Sequence, residues 1–159
     1  VILDTMNFWM DNSFEELSKV IKKVNIIIIN DEEALQLSGK DTLFNAADEI
    51  LKMGPKHVVI KKGEHGAMLF NKSEFFTIPA FPVKKVKDPT GAGDTFAGGF
   101  SGFLSQKNDL DFETLKLAVV HGTVMASFCV EGFGTSKMEK LNKETVEKRI
   151  KEFKKYTRY

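Results

Sequence analysis

A chain of 159 residues, 42% hydrophobic and 28% charged, can bury a core and reads as one ordinary globular domain. Its formal net charge of +1 gives no electrostatic reason to expect nucleic acid or an anionic membrane as partner. The lone cysteine, Cys129, excludes an internal disulfide. No apolar run reaches membrane-spanning length and no signal peptide is recognisable, so cytoplasm is the default location.

Val1 to Leu3 reads as a buried strand leading into the loop Asp4-Thr5-Met6-Asn7. A sequence that opens inside a strand suggests the later part of a longer chain. Ser13-Phe14-Glu15-Glu16 has the Ser-x-x-Glu form of a capping box, and Leu17, Val20, Ile21 and Val24 follow as a helical stripe. Ile26 to Ile29 suits a strand buried on both faces. Asp31 to Leu37 and Leu43 to Met53 are predicted helices, the second ended by Gly54-Pro55. His57 to Lys62 is the next strand, and Gly63-Glu64-His65-Gly66 turns the chain into Ala67 to Phe70. Phe75 to Ile78 returns antiparallel, and Phe81 to Val86 leads to a Gly-rich segment.

Ala92 to Leu104 is predicted helical. A longer helix from Phe112 to about Val130 carries Leu115, Ala118, Val119, Gly122, Met125, Ala126 and Cys129 on one face, with Cys129 as a small core residue. Asn142 caps a last helix to about Lys155, whose basic run, Arg149 included, reads as a solvated face. Strand–helix alternation followed by helices predicts an α/β layered fold in a single domain over 1–159.

The chemistry lies in Asp88-Pro89-Thr90-Gly91-Ala92-Gly93-Asp94-Thr95-Phe96-Ala97-Gly98-Gly99-Phe100. Gly91-Ala92-Gly93 permits a tight turn with unshielded amides, and the helix that begins there leaves its first N–H groups free to hold an anion. Asp94 sets a carboxylate beside that site. Amides for a phosphate and a carboxylate for a hydroxyl proton suit phosphoryl transfer to an alcohol. A helix N-terminus also favours ionised Asp94 and weakens it as a base, but a loose transition state needs only late proton removal. The alternative is Asp94 as a plain cap. A P-loop is excluded because no Gly-x-x-x-x-Gly-Lys-Ser/Thr occurs, and Phe96 stands where a dinucleotide fingerprint needs Gly or Ala. Gly98 and Gly99 are expected to permit close helix packing.

That same segment resembles the C-terminal signature of the PfkB carbohydrate kinases, the ribokinase-like family. Asn30-Asp31-Glu32-Glu33 resembles the family's Asn-x-x-Glu motif, and Val58 to Ala67 is similar to its strand and Gly-x-x-Gly turn. The resemblance implies a partial ribokinase-like fold, a mainly parallel sheet flanked by helices, and an ATP-dependent kinase acting on a sugar, sugar phosphate or nucleoside hydroxyl. It makes Asp94 the catalytic base and Gly91, Ala92 and Gly93 the anion hole. Asn30 and Glu33 would organise Mg²⁺, mostly through water. Gly63 and Gly66 would approach the nucleotide, and His121 would lie near the adenine. Lys61, which departs from the family pattern, could meet a phosphate, or strand alternation could point it to solvent. Asp88 and Thr90 resemble positions that bind a monovalent cation in some members.

Structural readings stand beside these: a helix N-cap for Asn30, a first-turn acid for Glu33, a packed structural His121, and turn formation around Pro89. Lys61 and Lys62 depart from the family pattern, as does Phe133-Gly134. Family chains are near twice this length, their first half supplying the acceptor site and a β-sheet lid. The expectation is therefore a C-terminal portion with reduced or no activity alone and an unpaired sheet edge that would favour a homodimer. The rival readings are a non-catalytic nucleotide-binding or interaction module, and a vitamin or pyrimidine kinase of the same fold.

Overall fold

The computed structural model describes residues 1–107 and 109–158. They fall into two compact units, Val1–Gly63 with Ala67–Thr77, and Glu64–Gly66 with the chain from Ile78 onward.

The first unit is built on a five-stranded sheet in the order β1 (Ile2–Asp4), β2 (Ile26–Asn30), β3 (His57–Lys61), β4 (Ala67–Phe70), β5 (Phe75–Ile78). β1, β2 and β3 are parallel, with Leu3 opposite Ile27 and Asn30 opposite Lys61. β4 runs antiparallel to β3, and the short link Asn71–Glu74 returns the chain into β5. Helices α1 (Asn7–Asn12) and α2 (Phe14–Ile21) join β1 to β2; α3 (Asp31–Ser38) and α4 (Leu43–Met53) join β2 to β3. Parallel neighbours need such crossovers.

The four isoleucines of β2 are all buried, as a strand covered on both faces requires. Ile27, Ile29, Val58 and Ile60 pack with Leu17, Ile21, Ala34, Ala46, Ala47 and Ile50 in one core. Thr42 caps α4 through the Asn45 amide, and Gly39 ends α3 in the left-handed conformation.

Three expectations change here. The first strand, expected to be buried, lies at the edge of the sheet among the described residues, pairing with β2, and Val1 is exposed. The capping box at Ser13 does not form, because α1 runs up to Ser13. Its φ/ψ of −150°/44° lies outside the extended conformation that would bring Oγ over the α2 amides, and its own N–H donates back to the Trp9 carbonyl. Val20, placed in the apolar stripe, is half exposed. It lines an apolar groove of about 360 Å³ with Leu3, Trp9 and Leu17.

The second unit consists mainly of α5 (Ala92–Leu104), α6 (Phe112–Cys129) and α7 (Lys143–Tyr156). α6 is buried almost all round: Thr123, Val124, Ser127 and Phe128 join Leu115, Ala118, Val119, Gly122 and Cys129, whereas Met125 and Ala126 are only partly buried. The hydroxyls of Thr123 and Ser127 donate to backbone carbonyls of their own helix.

α5 and α6 meet at Gly99 and Gly122. A Cβ on Gly99 would stand 2.7 Å from Met125 Cγ, and one on Gly122 2.8 Å from the Phe96 carbonyl oxygen. Gly98, expected to share this role, faces open space. Arg149 also departs from the solvated face expected of α7. It pairs with Glu131 at 2.8 Å, donates to Ser127 Oγ at 3.1 Å and lies 3.6 Å over the Phe128 ring. Among the described residues no helix is long and apolar enough to cross a membrane.

Candidate functional site

In the first unit the site residues gather where the parallel strands end. Asn30 closes β2 and caps α3. The Glu33 amide donates to Asn30 Oδ1 at 2.7 Å, and the Asn30 amide donates to Glu33 Oε2 at 3.0 Å. This reciprocal ring is the structural reading of both residues, and it leaves Glu33 Oε1 to meet something else. Burial pushes the Glu33 carboxyl above its ordinary 4.5; the Asn30 bond and the charge of Lys61 act the other way. A buried carboxylate with one oxygen committed fits a divalent cation that keeps its water shell, as Mg²⁺ prefers. Among the described residues no group of three or more His, Cys, Asp or Glu side chains could hold a metal ion.

Lys61 ends β3, and its ammonium donates to both Asp4 oxygens at 3.1 Å. Asp4, expected in a loop, is instead part of β1. Its signal was positional: it is the last residue of β1, and ligand sites in open α/β sheets lie at the carboxyl ends of parallel strands. Beyond β3, Gly63 is left-handed (φ 55°) with open space at its Cα.

In the second unit Gly66 (φ 91°) has a packing reason to lack a side chain, since a Cβ would stand 2.0 Å from the Ile78 carbonyl oxygen. Gly91 is the N-cap of α5 at φ 77°, a conformation that favours glycine, and has no side chain with which to cap. Of the amides expected to form an anion hole, that of Ala92 is taken, donating to the Pro89 carbonyl at 3.1 Å. Those of Gly91, Gly93 and Asp94 have no protein acceptor among the described residues. Asp94 occupies the first turn of α5. It is exposed and is not the N-cap, so its carboxylate is not spent on closing the helix.

The turn before α5 is tied to the end of α6. Lys87 and Asp88 amides donate to the Val130 carbonyl at 2.8 and 3.4 Å, and the Cys129 thiol reaches the Thr90 carbonyl at 3.5 Å. Cys129 is buried, as expected of a core thiol. Asp88 Oδ1 accepts the Thr90 amide at 2.9 Å, which holds its carboxyl below the ordinary value and realises the turn reading of both residues. His121 stacks on Phe103 at 4.3 Å between centroids. Phe103 is nine residues beyond Asp94 in α5, about 13 Å along the axis, so His121 packs toward the far end of that helix.

Comparison with known proteins agrees with this architecture. Cytidine kinase of Thermococcus kodakarensis is 38% identical over 97 residues, 60% of this chain and 34% of its own. The crystal structure of Methanocaldococcus jannaschii nucleoside kinase, an archaeal member of the ribokinase family, superposes with a TM-score of 0.79 at 27% identity, covering 96% of this chain and 48% of that one. Aminoimidazole riboside kinase from Salmonella enterica, complexed with aminoimidazole riboside and an ATP analogue, gives 0.81 at 25% identity over 94% and 52%. The chain thus spans about a third of the length of that curated relative and about half that of the solved structures. The fold is a ribokinase-like α/β fold. The family model for the pfkB family carbohydrate kinases matches residues 2–141, and the chain belongs to that family.

Proposed function

We propose that this chain supplies the phosphoryl-donor side and the proton acceptor of an ATP-dependent kinase for a hydroxyl of a sugar, sugar phosphate or nucleoside. On this reading it is the C-terminal portion of a PfkB-type kinase. The observation that carries the reading is the start of α5, where amides of Gly91, Gly93 and Asp94, without a protein acceptor among the described residues, stand beside an exposed carboxylate that is not the N-cap. The amides hold negative charge on the transferred phosphate, and Asp94 accepts the acceptor's hydroxyl proton. Gly63 and Gly66 let the backbone approach the nucleotide, and Lys61 offers a phosphate its ammonium. Mg²⁺, organised through water by Asn30 and Glu33, would neutralise charge between the phosphates. A monovalent cation beside the turn would meet the Asp88 carboxylate, whose Oδ2 is not used by the Thr90 amide. The relatives' names span nucleoside, riboside, sugar and sugar-phosphate kinases, in keeping with an acceptor from these classes.

Asp94→Asn tests the assignment. In the full-length enzyme that contains this chain, phosphoryl transfer should fall by about 10²–10⁴, while calorimetric Mg²⁺–ATP affinity stays within about twofold. Transfer at the parental rate would refute Asp94 as the base. A non-catalytic nucleotide-binding module is the rival reading, and the same assays separate the two. It predicts ATP binding with no transfer to any acceptor, in the parent as in the variant.

A further inference from the structure

The ion pair at the end of the sheet assigns Asp4 a role that the motifs do not. Asp4 is set firmly: its Oδ1 accepts the next amide, Thr5 N–H, at 3.0 Å and also receives Lys61. Lys61 reaches it from β3 across the intervening strand β2, which ends at Asn30, the residue opposite Lys61 in register. Both side chains are largely but not wholly shielded, with 17% of Lys61 and 29% of Asp4 exposed. Such a pair is strong enough to fix a flexible lysine and weak enough to exchange. Buried Glu33 lies near enough for its carboxyl to feel both charges. The end of the sheet therefore holds two carboxylates and one ammonium, and the ammonium has committed itself to the outer carboxylate.

We infer that Asp4 is a positioning residue which parks the Lys61 ammonium at the ends of β1–β3, and that a nucleotide phosphate takes Lys61 by displacing Asp4. The inference rests on the proposed phosphate-binding role of Lys61. Asp4 competes with the phosphate for one cation, so it lowers nucleotide affinity while keeping Lys61 from folding away or pairing with Glu33. Exchange of one charge-assisted partner for another suits lysine, whose ammonium is a point charge on a flexible stem.

The test is calorimetric titration of the full chain with ATP in EDTA, repeated with inorganic tripolyphosphate, for the parent, Asp4→Asn, Lys61→Met and the double variant. Thermal melts run alongside, with Asp4→Ser as a second replacement should Asp4→Asn fail to fold. Asp4→Asn should bind about two- to fivefold more tightly, the worth of a partly exposed ion pair. Lys61→Met should bind more weakly, and the gain from Asp4→Asn should vanish in the Lys61→Met background. Tighter binding is a readout that a merely structural role would not produce. If Lys61→Met weakens binding but Asp4→Asn and Asp4→Ser bring no gain, the exchange is overturned and the phosphate role of Lys61 stands. If the Asp4→Asn gain persists without Lys61, it is a general charge effect and the exchange is again overturned. If Lys61→Met binds like the parent, or no variant binds either ligand, the phosphate role falls and takes the exchange with it.

Discussion

Gly98 and Gly99 are adjacent in α5, yet alanine at the two positions should have different consequences. Both substitutions remove a helix-interior glycine, which favours the helix by about 1 kcal/mol. At Gly98 the new methyl meets nothing within 4 Å, so that gain is uncontested. At Gly99 it would stand 2.7 and 2.8 Å from Met125 Cγ and Cβ and 3.2 Å from the Gly122 Cα. Met125 could turn its sulfur end away, but its Cβ and the Gly122 backbone move only with α6. Overpacking of this kind costs about 1–3 kcal/mol. The helix-forming gain is common to both variants and cancels in the comparison, leaving a difference of about 1–3 kcal/mol. That corresponds to roughly 2–10 °C in Tm for a chain of this size. Thermal and urea unfolding followed by circular dichroism measure it, with Gly98→Ala above the parent and Gly99→Ala below Gly98→Ala. Gly122→Ala should be costlier still, since its methyl meets the Phe96 backbone oxygen at 2.8 Å. Equal melting of the Gly98 and Gly99 variants would refute close α5–α6 packing as the reason for the second glycine.

Arg149→Met keeps the apolar stem but loses the Glu131 pair, the Ser127 bond and the Phe128 contact. It should cost about 2 kcal/mol, whereas exposed Lys148→Met stays within about 0.5 kcal/mol; matching urea midpoints for the two would contradict the anchoring role. Burial holds His57 and His121 below their ordinary 6.5, with the charges of Lys56 and Lys107 adding to the effect. The unfolded chain then binds more protons than the folded one, so their contribution is intact above 6.5 and is lost as pH falls through the depressed folded values. Urea midpoints between about pH 7.5 and 5.5 should fall less steeply for a His57→Gln/His121→Gln double variant than for the parent; identical slopes would contradict it.

The order of elements was legible because local signals agreed. The isoleucine run of β2, Asn30 before α3 and the glycines at 39 and 54 each mark what the chain does next within a few residues. Ser13 failed for the same reason in reverse. Ser-x-x-Glu describes a helix entered from an extended residue, but here another helix precedes it, and α1 (Asn7–Asn12) has no apolar period to announce it: of its residues only Met10 is buried. Arg149 misled because its neighbours are solvated. Its partners Glu131, Ser127 and Phe128 come from α6 and the residues just beyond it, and no spacing within α7 reveals them.

The candidate site divides along the same line. Gly91 to Asp94 is contiguous, so the motif and the tight turn can be read from one string, whereas that the Asp94 carboxylate is not the cap appears only once Gly91 is seen to be the N-cap. What the string cannot state is which amides remain free. The Ala92 N–H is consumed by Pro89, three residues earlier, because the turn into α5 closes a hydrogen bond of its own. Asp4 is the converse case. It lies 57 residues from Lys61 and becomes its neighbour only because β1 and β3 flank β2 in parallel register. A parallel sheet collects the last residues of successive strands at one edge however far apart they lie in sequence, and side chains there can pair across a strand. Residues whose chemistry depends on that edge are therefore found by asking where each strand ends, and in this chain the question yields Asp4, Asn30 and Lys61 together.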